Sequence, residues 1–188
     1  MKHDGSQDAT RFLTGFLREL GVNLDDPHLV GTPERVVRAF RNDFLAGYEM
    51  DPDEFLSVQF EAKYNEIILV RDIPFYSLCA HHLIPFYGVA HVGYIPDKTI
   101  TGLSKLARVV EAYSRRLQIQ ERLATQVADK IQEKLNPKGV GVVMVAEHLC
   151  MSARGISKPG AKTTTSSLRG CFLDDSRTRA EFMALING

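Results

Sequence analysis

Val140-Gly141-Val142-Val143-Met144-Val145-Ala146-Glu147-His148-Leu149-Cys150 is the stretch on which the reading of this chain turns. Its first seven residues are apolar or small, four of them valine, and such a dense run between turn signals reads as a buried strand. Continued past Ala146 in extended form, the strand delivers His148 and Cys150 at i and i+2, which puts both on one face. A second stretch upstream answers it: Ser77-Leu78-Cys79-Ala80-His81-His82. Two of the three cysteines and three of the six histidines fall in these two segments, so they read as the halves of one split metal site.

Working outward, residues 66–73 and 86–95 read as two further strands around the Cys-His cluster, with Val89, His91 and Gly93 of the second on one side. Between them and the 140–146 run lie two helical patterns. One carries Leu103, Leu106, Ala107, Val110 and Leu117; the next carries Ile119, Leu123, Val127, Ile131 and Leu135, and Asn136-Pro137-Lys138-Gly139 ends it. Lys158-Pro159-Gly160 marks a turn into a threonine-rich strand over 163–172, which makes a long hairpin with the 140–146 run. Residues 174–186 close the chain as a helix. Strand pairs flanking a helix pair predict an α+β domain, an antiparallel sheet with the helices on one face.

Ahead of this domain, Phe12, Leu13, Phe16, Leu17 and Leu20 recur at helical spacing and Gly21 provides a stop. A second helix opens with Thr32 as N-cap and Pro33 at the first position, carries Val36, Val37, Phe40, Phe44 and Leu45, and ends near Gly47. The division expected is an N-terminal helical arm over 1–50 and the α+β domain over 51–188. Arg35, Arg38 and Arg41 share one side of the second helix; they form a solvated face or an anion contact, and the former needs fewer assumptions.

The composition sets limits. In 188 residues, 23 basic and 23 acidic side chains balance, 44% of residues are hydrophobic and 24% charged. That describes an ordinary soluble domain with no global electrostatic pull toward nucleic acid or a membrane surface, so any anion site is local. No apolar stretch is long enough to span a membrane, and residues 1–20 lack a signal-peptide core, which predicts a cytoplasmic protein. An odd, sparse set of cysteines makes no disulfide framework and leaves thiols free for metal, although a Cys79–Cys150 disulfide is the alternative; Cys171 reads as core.

Cys79 and His82 at i and i+3 converge on an ion from one turn, and Cys150 supplies a third ligand of matching softness. Such a set leaves zinc one open position, as in catalytic sites, with His81 and His148 beside it as acid or base. A closed structural site with His81 or His148 as fourth ligand, or a buried cysteine among packed histidines, fits the spacing equally well.

Four motifs in order carry a resemblance: Cys79-Ala80-His81-His82, Gly102-Leu103-Ser104-Lys105-Leu106-Ala107-Arg108, Gln118-Ile119-Gln120-Glu121-Arg122-Leu123, and His148-Leu149-Cys150-Met151-Ser152-Ala153-Arg154-Gly155. From about Gly31 onward the chain resembles the zinc-dependent GTP cyclohydrolase I family. The resemblance implies the T-fold (tunnelling fold) and the conversion of GTP and water to 7,8-dihydroneopterin triphosphate and formate, the entry to folate and biopterin. It also implies a homo-oligomer, a decamer of two stacked pentamers with active sites at subunit interfaces.

Position by position, the resemblance makes Cys79, His82 and Cys150 the Zn2+ ligands and favours the open, catalytic site. His148 becomes the acid toward the purine ring nitrogen as water attacks C8, and His81 the assistant in later proton transfers. Glu121, with Gln120 beside it, becomes the guanine-binding element. Ser104, Lys105, Arg108 and Arg154 take the triphosphate, joined by Arg35 and Arg38 from a neighbouring subunit. One departure stands out: Ala80 occupies a place where the family commonly has Glu, which removes a carboxylate that would orient the metal ligands. Two competing readings follow, a zinc-stabilised GTP-binding module without turnover and a different T-fold enzyme acting on a deazapurine.

Overall fold

The computed structural model describes residues 5–188, so the first four residues of the expected arm lie outside the described residues. The chain divides into two compact units, one ending at Ala46 and one running Gly47–Gly188.

In the first unit, α1 (Gly5–Glu19) is the amphipathic helix read from the phenylalanine and leucine spacing. Helix α2 (Thr32–Ala39) begins one residue earlier than expected, because Gly31 at φ 72° takes the N-cap position and Thr32 is already helical. The Thr32 hydroxyl caps no backbone amide and instead accepts a 2.8 Å hydrogen bond from Arg35 Nη2. The helix loosens into a π-helical turn over Phe40–Phe44.

A 3₁₀ turn (Ala46–Tyr48) spans the boundary, and in the second unit α3 (Pro52–Phe55) leads to β1 (Gln59–Glu61), β2 (Ile68–Cys79), β3 (Pro85–Ile95) and β4 (Thr99–Thr101). Then follow α4 (Leu103–Ser114), β5 (Leu117–Gln118), α5 (Gln120–Leu135), β6 (Gly139–His148), α6 (Leu149–Ser152), β7 (Lys162–Gly170), α7 (Cys171–Asp174) and α8 (Ser176–Asn187). The main sheet has the order β5-β2-β3-β6-β7, and β1 pairs with β4 apart from it. Pairing is antiparallel except at the edge, where β5 runs parallel to the end of β2.

Strand β6 lies in the middle of three long antiparallel neighbours, which is why its valine run is buried on both faces. On one face α4 and α5 cover Val92, Tyr94, Val140, Val142 and Met144 with Leu106, Val110, Leu123, Val127 and Ile131. This is the helix pair on one face expected from the sequence. On the other face a smaller cluster of Val143, Phe172 and Phe182 seats α7 and α8. Gly93 and Gly141 are cross-strand partners there, and the Phe182 ring lies on the flat patch they leave.

Four local readings need correction. Strand β2 does not stop at Ile73: a bulge at Arg71-Asp72, with Asp72 at φ 57°, lets the strand resume and continue to Cys79. Leu117 belongs to no helix; it starts the two-residue strand β5, and Ile119 is the N-cap of α5. Strand β6 ends at His148, so Cys150 sits on the helical turn α6 and does not share a strand face with His148. Phe172 lies in α7 rather than in a strand, and the closing helix is interrupted at Asp175, whose carboxylate accepts from the amides of Arg177 and Thr178 to cap α8.

Candidate metal centre and active site

The sheet brings the two chemical halves together by register. Phe86, at the start of β3, pairs across the sheet with His148 at the end of β6, while Leu78 at the end of β2 pairs with Pro85. The ends of β2 and β6 therefore flank the same end of β3. The turn after β2 is tightly held: the Cys79 amide donates to Ile84 O at 2.9 Å, and Cys79 O accepts from the amides of His82 and Leu83 at 3.2 and 2.9 Å. Leu83 adopts φ 55° to complete it. From the edge, the Ala80 amide donates to Gln118 O in β5 at 2.9 Å.

In this turn the ligand atoms of Cys79, His81 and His82 lie within 4.8 Å of one another. Cys79 Sγ is 3.6 Å from His82 Nδ1 and 3.9 Å from His81 Nδ1. Cys79 is buried and both histidines are exposed, an arrangement open to solvent on the imidazole side. Cys150 arrives from α6 and meets Cys79. Burial first, then the neighbouring Cys79 with its charge and hydrogen bond, push the Cys150 thiol above its ordinary pKa. Two thiols forced together each disfavour the other's ionised form, and a soft cation between them removes that conflict. The donor set of two thiols and imidazole thus fits a zinc-type ion. Among the described residues neither imidazole has a carboxylate partner, and Ala80 contributes only its amide to the turn.

His148 stacks on the fully buried Phe86 with centroids 4.6 Å apart and planes 3° from parallel. Its Nε2 is 2.7 Å from Gln120 Oε1. Burial pushes its pKa below 6.5, and the carboxylate of Glu121 works in the opposite direction. Glu121 is exposed in the first turn of α5, close enough for its charge to be felt at His148. Gln120 is buried at 1% exposure, with its amide hydrogens directed at Met144 O, Thr163 O and Thr165 Oγ1.

The anion-binding candidates are more dispersed. Arg154 is exposed just past α6 and its charge reaches Cys150. Ser104 and Lys105 open α4, whereas the other end of that helix approaches β5 and the metal turn; ten residues of helix separate Ser104 from Ser114, about 15 Å of rise. Arg108 lies over the Phe55 ring at 5.8 Å and lines a cavity of about 250 Å³ with Phe75, Glu111 and Arg115. In the other unit, Arg35 donates to Val30 O and Thr32 Oγ1 at its own helix start, and Arg38 lines a separate hollow with Thr10, Glu34 and Arg41.

Three contributors carry no assigned role in the sequence reading, although Gln118 and Arg122 fall within its third motif. Phe86 sets the plane of His148; Gln118 anchors the metal turn through its carbonyl; Arg122 donates to Gln118 Oε1 at 2.8 Å and Leu117 O at 2.6 Å, fastening β5 to α5. The alternation Leu117-Gln118-Ile119 is the faint signal of β5, too short to stand out between two helices.

A mainly antiparallel sheet of this order, with a helix pair on one face and thiols and imidazoles gathered at the ends of its strands, is that of a T-fold enzyme. The profile of GTP cyclohydrolase I matches residues 9–187, and the chain belongs to that family. The match begins well ahead of Gly31 and so takes in most of the N-terminal helices. The GTP cyclohydrolase 1 of Thermobifida fusca is 57% identical over 92% of this chain and 84% of its own length, and that of Carboxydothermus hydrogenoformans 56% identical over 90% and 88%. The Mycobacterium tuberculosis protein of the same name is 50% identical over 96% of this chain and 90% of its own. A solved structure, the archaeosine synthase QueF-Like in its apo form, aligns over 57% of this chain and 97% of its own at 18% identity and TM-score 0.48, too slight a likeness to bear on function. No helix among the described residues is long and apolar enough to cross a membrane.

Proposed function

We propose that this chain converts GTP and one water to 7,8-dihydroneopterin triphosphate, formate and a proton, as a zinc enzyme of the cytoplasm. The observation that carries the reading is the convergence of Cys79, His81, His82 and Cys150 beside a stacked, hydrogen-bonded His148 in a chain of this family. Cys79, His82 and Cys150 would hold the zinc. When bound, zinc supplies Lewis acidity and allows water to ionise near neutral pH.

The remaining roles belong to the chain's own groups. His148 delivers a proton to the purine ring nitrogen as the C8–N bond weakens, a positioned-acid contribution of about 10²- to 10⁴-fold. His81, exposed beside the ligands, moves protons in the later ring opening and ribose rearrangement. The Glu121 carboxylate accepts from the guanine ring N–H and exocyclic amine. Ser104, Lys105, Arg108 and Arg154 bind the triphosphate, with Arg35 and Arg38 as further cations.

The length of α4 supports the view that Ser104 and Lys105 serve the site of a neighbouring copy, since they stand a helix length from the metal turn of their own chain. Exposed aromatic groups support assembly as well: Tyr76 and Tyr87 stack at 5.8 Å on an open sheet face. We therefore read the working form as a homo-oligomer, a decamer in keeping with the family resemblance. Residues 51–188 form its catalytic domain and 1–50 an appended helical arm.

Incubating zinc-loaded protein with GTP, and following formate and the fluorescent pterin produced on oxidation, tests the reading. Tight GTP binding without formate would establish instead a binding module that has lost turnover through Ala80. Full activity after zinc removal would point to a different T-fold enzyme.

A further inference from the structure

We propose that Gln120 is a positioning residue that holds His148 as the Nε2–H tautomer, so that Nδ1 is the nitrogen that exchanges a proton with substrate. The inference rests on the reading of His148 as the acid of the GTP reaction and deepens it.

The reasoning starts from a side-chain amide, which has one oxygen that only accepts and one nitrogen that only donates. Gln120 Nε2 lies 3.1 Å from Met144 O, 3.0 Å from Thr163 O and 3.2 Å from Thr165 Oγ1. Two of these three are backbone carbonyls, which cannot donate. A flipped amide would therefore press its oxygen against two acceptors in a buried place and leave its hydrogens toward the histidine; the network admits one orientation. Oε1 then faces His148 Nε2 at 2.7 Å, and since that oxygen can only accept, Nε2 must carry a hydrogen.

A neutral imidazole has one N–H, so Nδ1 is bare in the neutral ring and is where a second proton comes and goes. No hydrogen bond to His148 Nδ1 is formed among the described residues. Phe86 completes the constraint: it is fully buried, it is the cross-strand partner of His148, and its parallel ring fixes the imidazole plane. Gln120 sets the rotation within that plane.

This role differs from that of a guanine contact. Gln120 is 1% exposed and both ends of its amide are occupied by protein groups, while its neighbour Glu121 is exposed and free to meet a base. The adjacent pair divides the work: Glu121 faces substrate and Gln120 faces the acid.

The test uses the zinc-loaded enzyme with ¹⁵N-labelled histidine. The expected spectrum shows His148 protonated at Nε2 and unprotonated at Nδ1; the opposite tautomer in the wild-type protein overturns the proposal whatever any variant does. Gln120→Leu removes the acceptor while keeping bulk. With zinc content and circular dichroism unchanged, kcat is expected to fall about 10²-fold while KM for GTP moves less than about threefold. In the same variant the tautomer signal should broaden or shift toward Nδ1–H. A variant that raises KM with kcat intact would make Gln120 a nucleotide contact and overturn the proposal. A wild-type protein that releases no formate from GTP would refute the activity instead, and the spectrum would still decide the nitrogen assignment by itself.

Discussion

Phe182 of α8 offers a perturbation whose size can be worked from the structure. A Cβ at Gly141 would lie 2.7, 2.9 and 3.1 Å from Cε1, Cζ and Cδ1 of the Phe182 ring, where comfortable carbon contacts are about 3.5–4.0 Å. The ring would have to retreat by close to ~1 Å, toward or away from Phe172, which it meets edge-on at 4.9 Å. Overpacking of this kind costs about 1–3 kcal/mol, offset by the ~0.4–1 kcal/mol that replacing glycine saves in unfolded-chain entropy. Gly141→Ala should therefore destabilise by about 1–2 kcal/mol. Phe182→Ala, which empties a fully buried site, should cost about 3–5 kcal/mol.

In the double variant the new methyl group occupies space that the ring has left, so the overpacking vanishes. The pair should be less destabilised than the sum of the singles by about 1–2 kcal/mol. Gly93→Ala is the control, because its Cβ would meet Phe182 Cε2 at 2.8 Å but also Ile68 O at 3.3 Å, a backbone contact that survives loss of the ring. Its coupling to Phe182→Ala should be smaller. Urea unfolding at one protein concentration, followed by circular dichroism because the chain has no Trp, measures all of these. Additivity at Gly141 within about 0.5 kcal/mol would refute the claim that Phe182 is seated on the glycine pair.

Other expectations concern the site and the sheet. Cys150→Ala should lose bound zinc, whereas His148→Ala should retain zinc and fold but lose most turnover; metal analysis decides, and equal metal loss in both would make His148 a ligand. Glu121→Gln should raise KM for GTP about 10- to 100-fold, since charge-assisted hydrogen bonds contribute about 1.5–3 kcal/mol, and an unchanged KM would remove Glu121 from the base pocket. His91 gives a pH dependence of stability. Burial holds its pKa below 6.5, with Asp72 pulling it up and Arg71 pushing it down, and its Nδ1 accepts from the Asp72 amide at the bulge at 3.2 Å. The native state binds this proton more weakly than the unfolded chain, so its contribution is present above pH 6.5 and is lost as pH falls through the folded pKa. His91→Gln should flatten the loss of melting temperature between about pH 7.5 and pH 5; an unaltered slope would show that other groups set it.

Much of this architecture is visible in the sequence because it is written in long periodic runs. The valines of β6, the helical spacing of α4 and α5, and the Cys-His cluster each state themselves over several residues. What failed to show was short or depended on tertiary register. In Glu147-His148-Leu149-Cys150 the alternation simply prolongs the strand pattern, and nothing local announces that the chain coils at Leu149. Gln120 reads as part of a guanine-binding element beside Glu121; only the register of β6 with β7, which aligns Met144 with Thr165, creates the acceptors that hold its amide. Likewise the bulge at Asp72 exists to serve a histidine nineteen residues away, which no window across β2 reveals.

The four residues Leu117 to Gln120 behave as a gauge block. Gln118 grips the metal turn through its carbonyl, and two residues later Gln120 grips the acid histidine, so the separation of the two is set by covalent chain length rather than by the softer spacing of packed side chains. An inserted residue here would turn Gln120 by ~100° about the axis of α5 and take its amide away from His148. Past Gly155 the loop into β7 carries no such double grip, and length variation should be tolerated there and refused between Arg116 and Glu121.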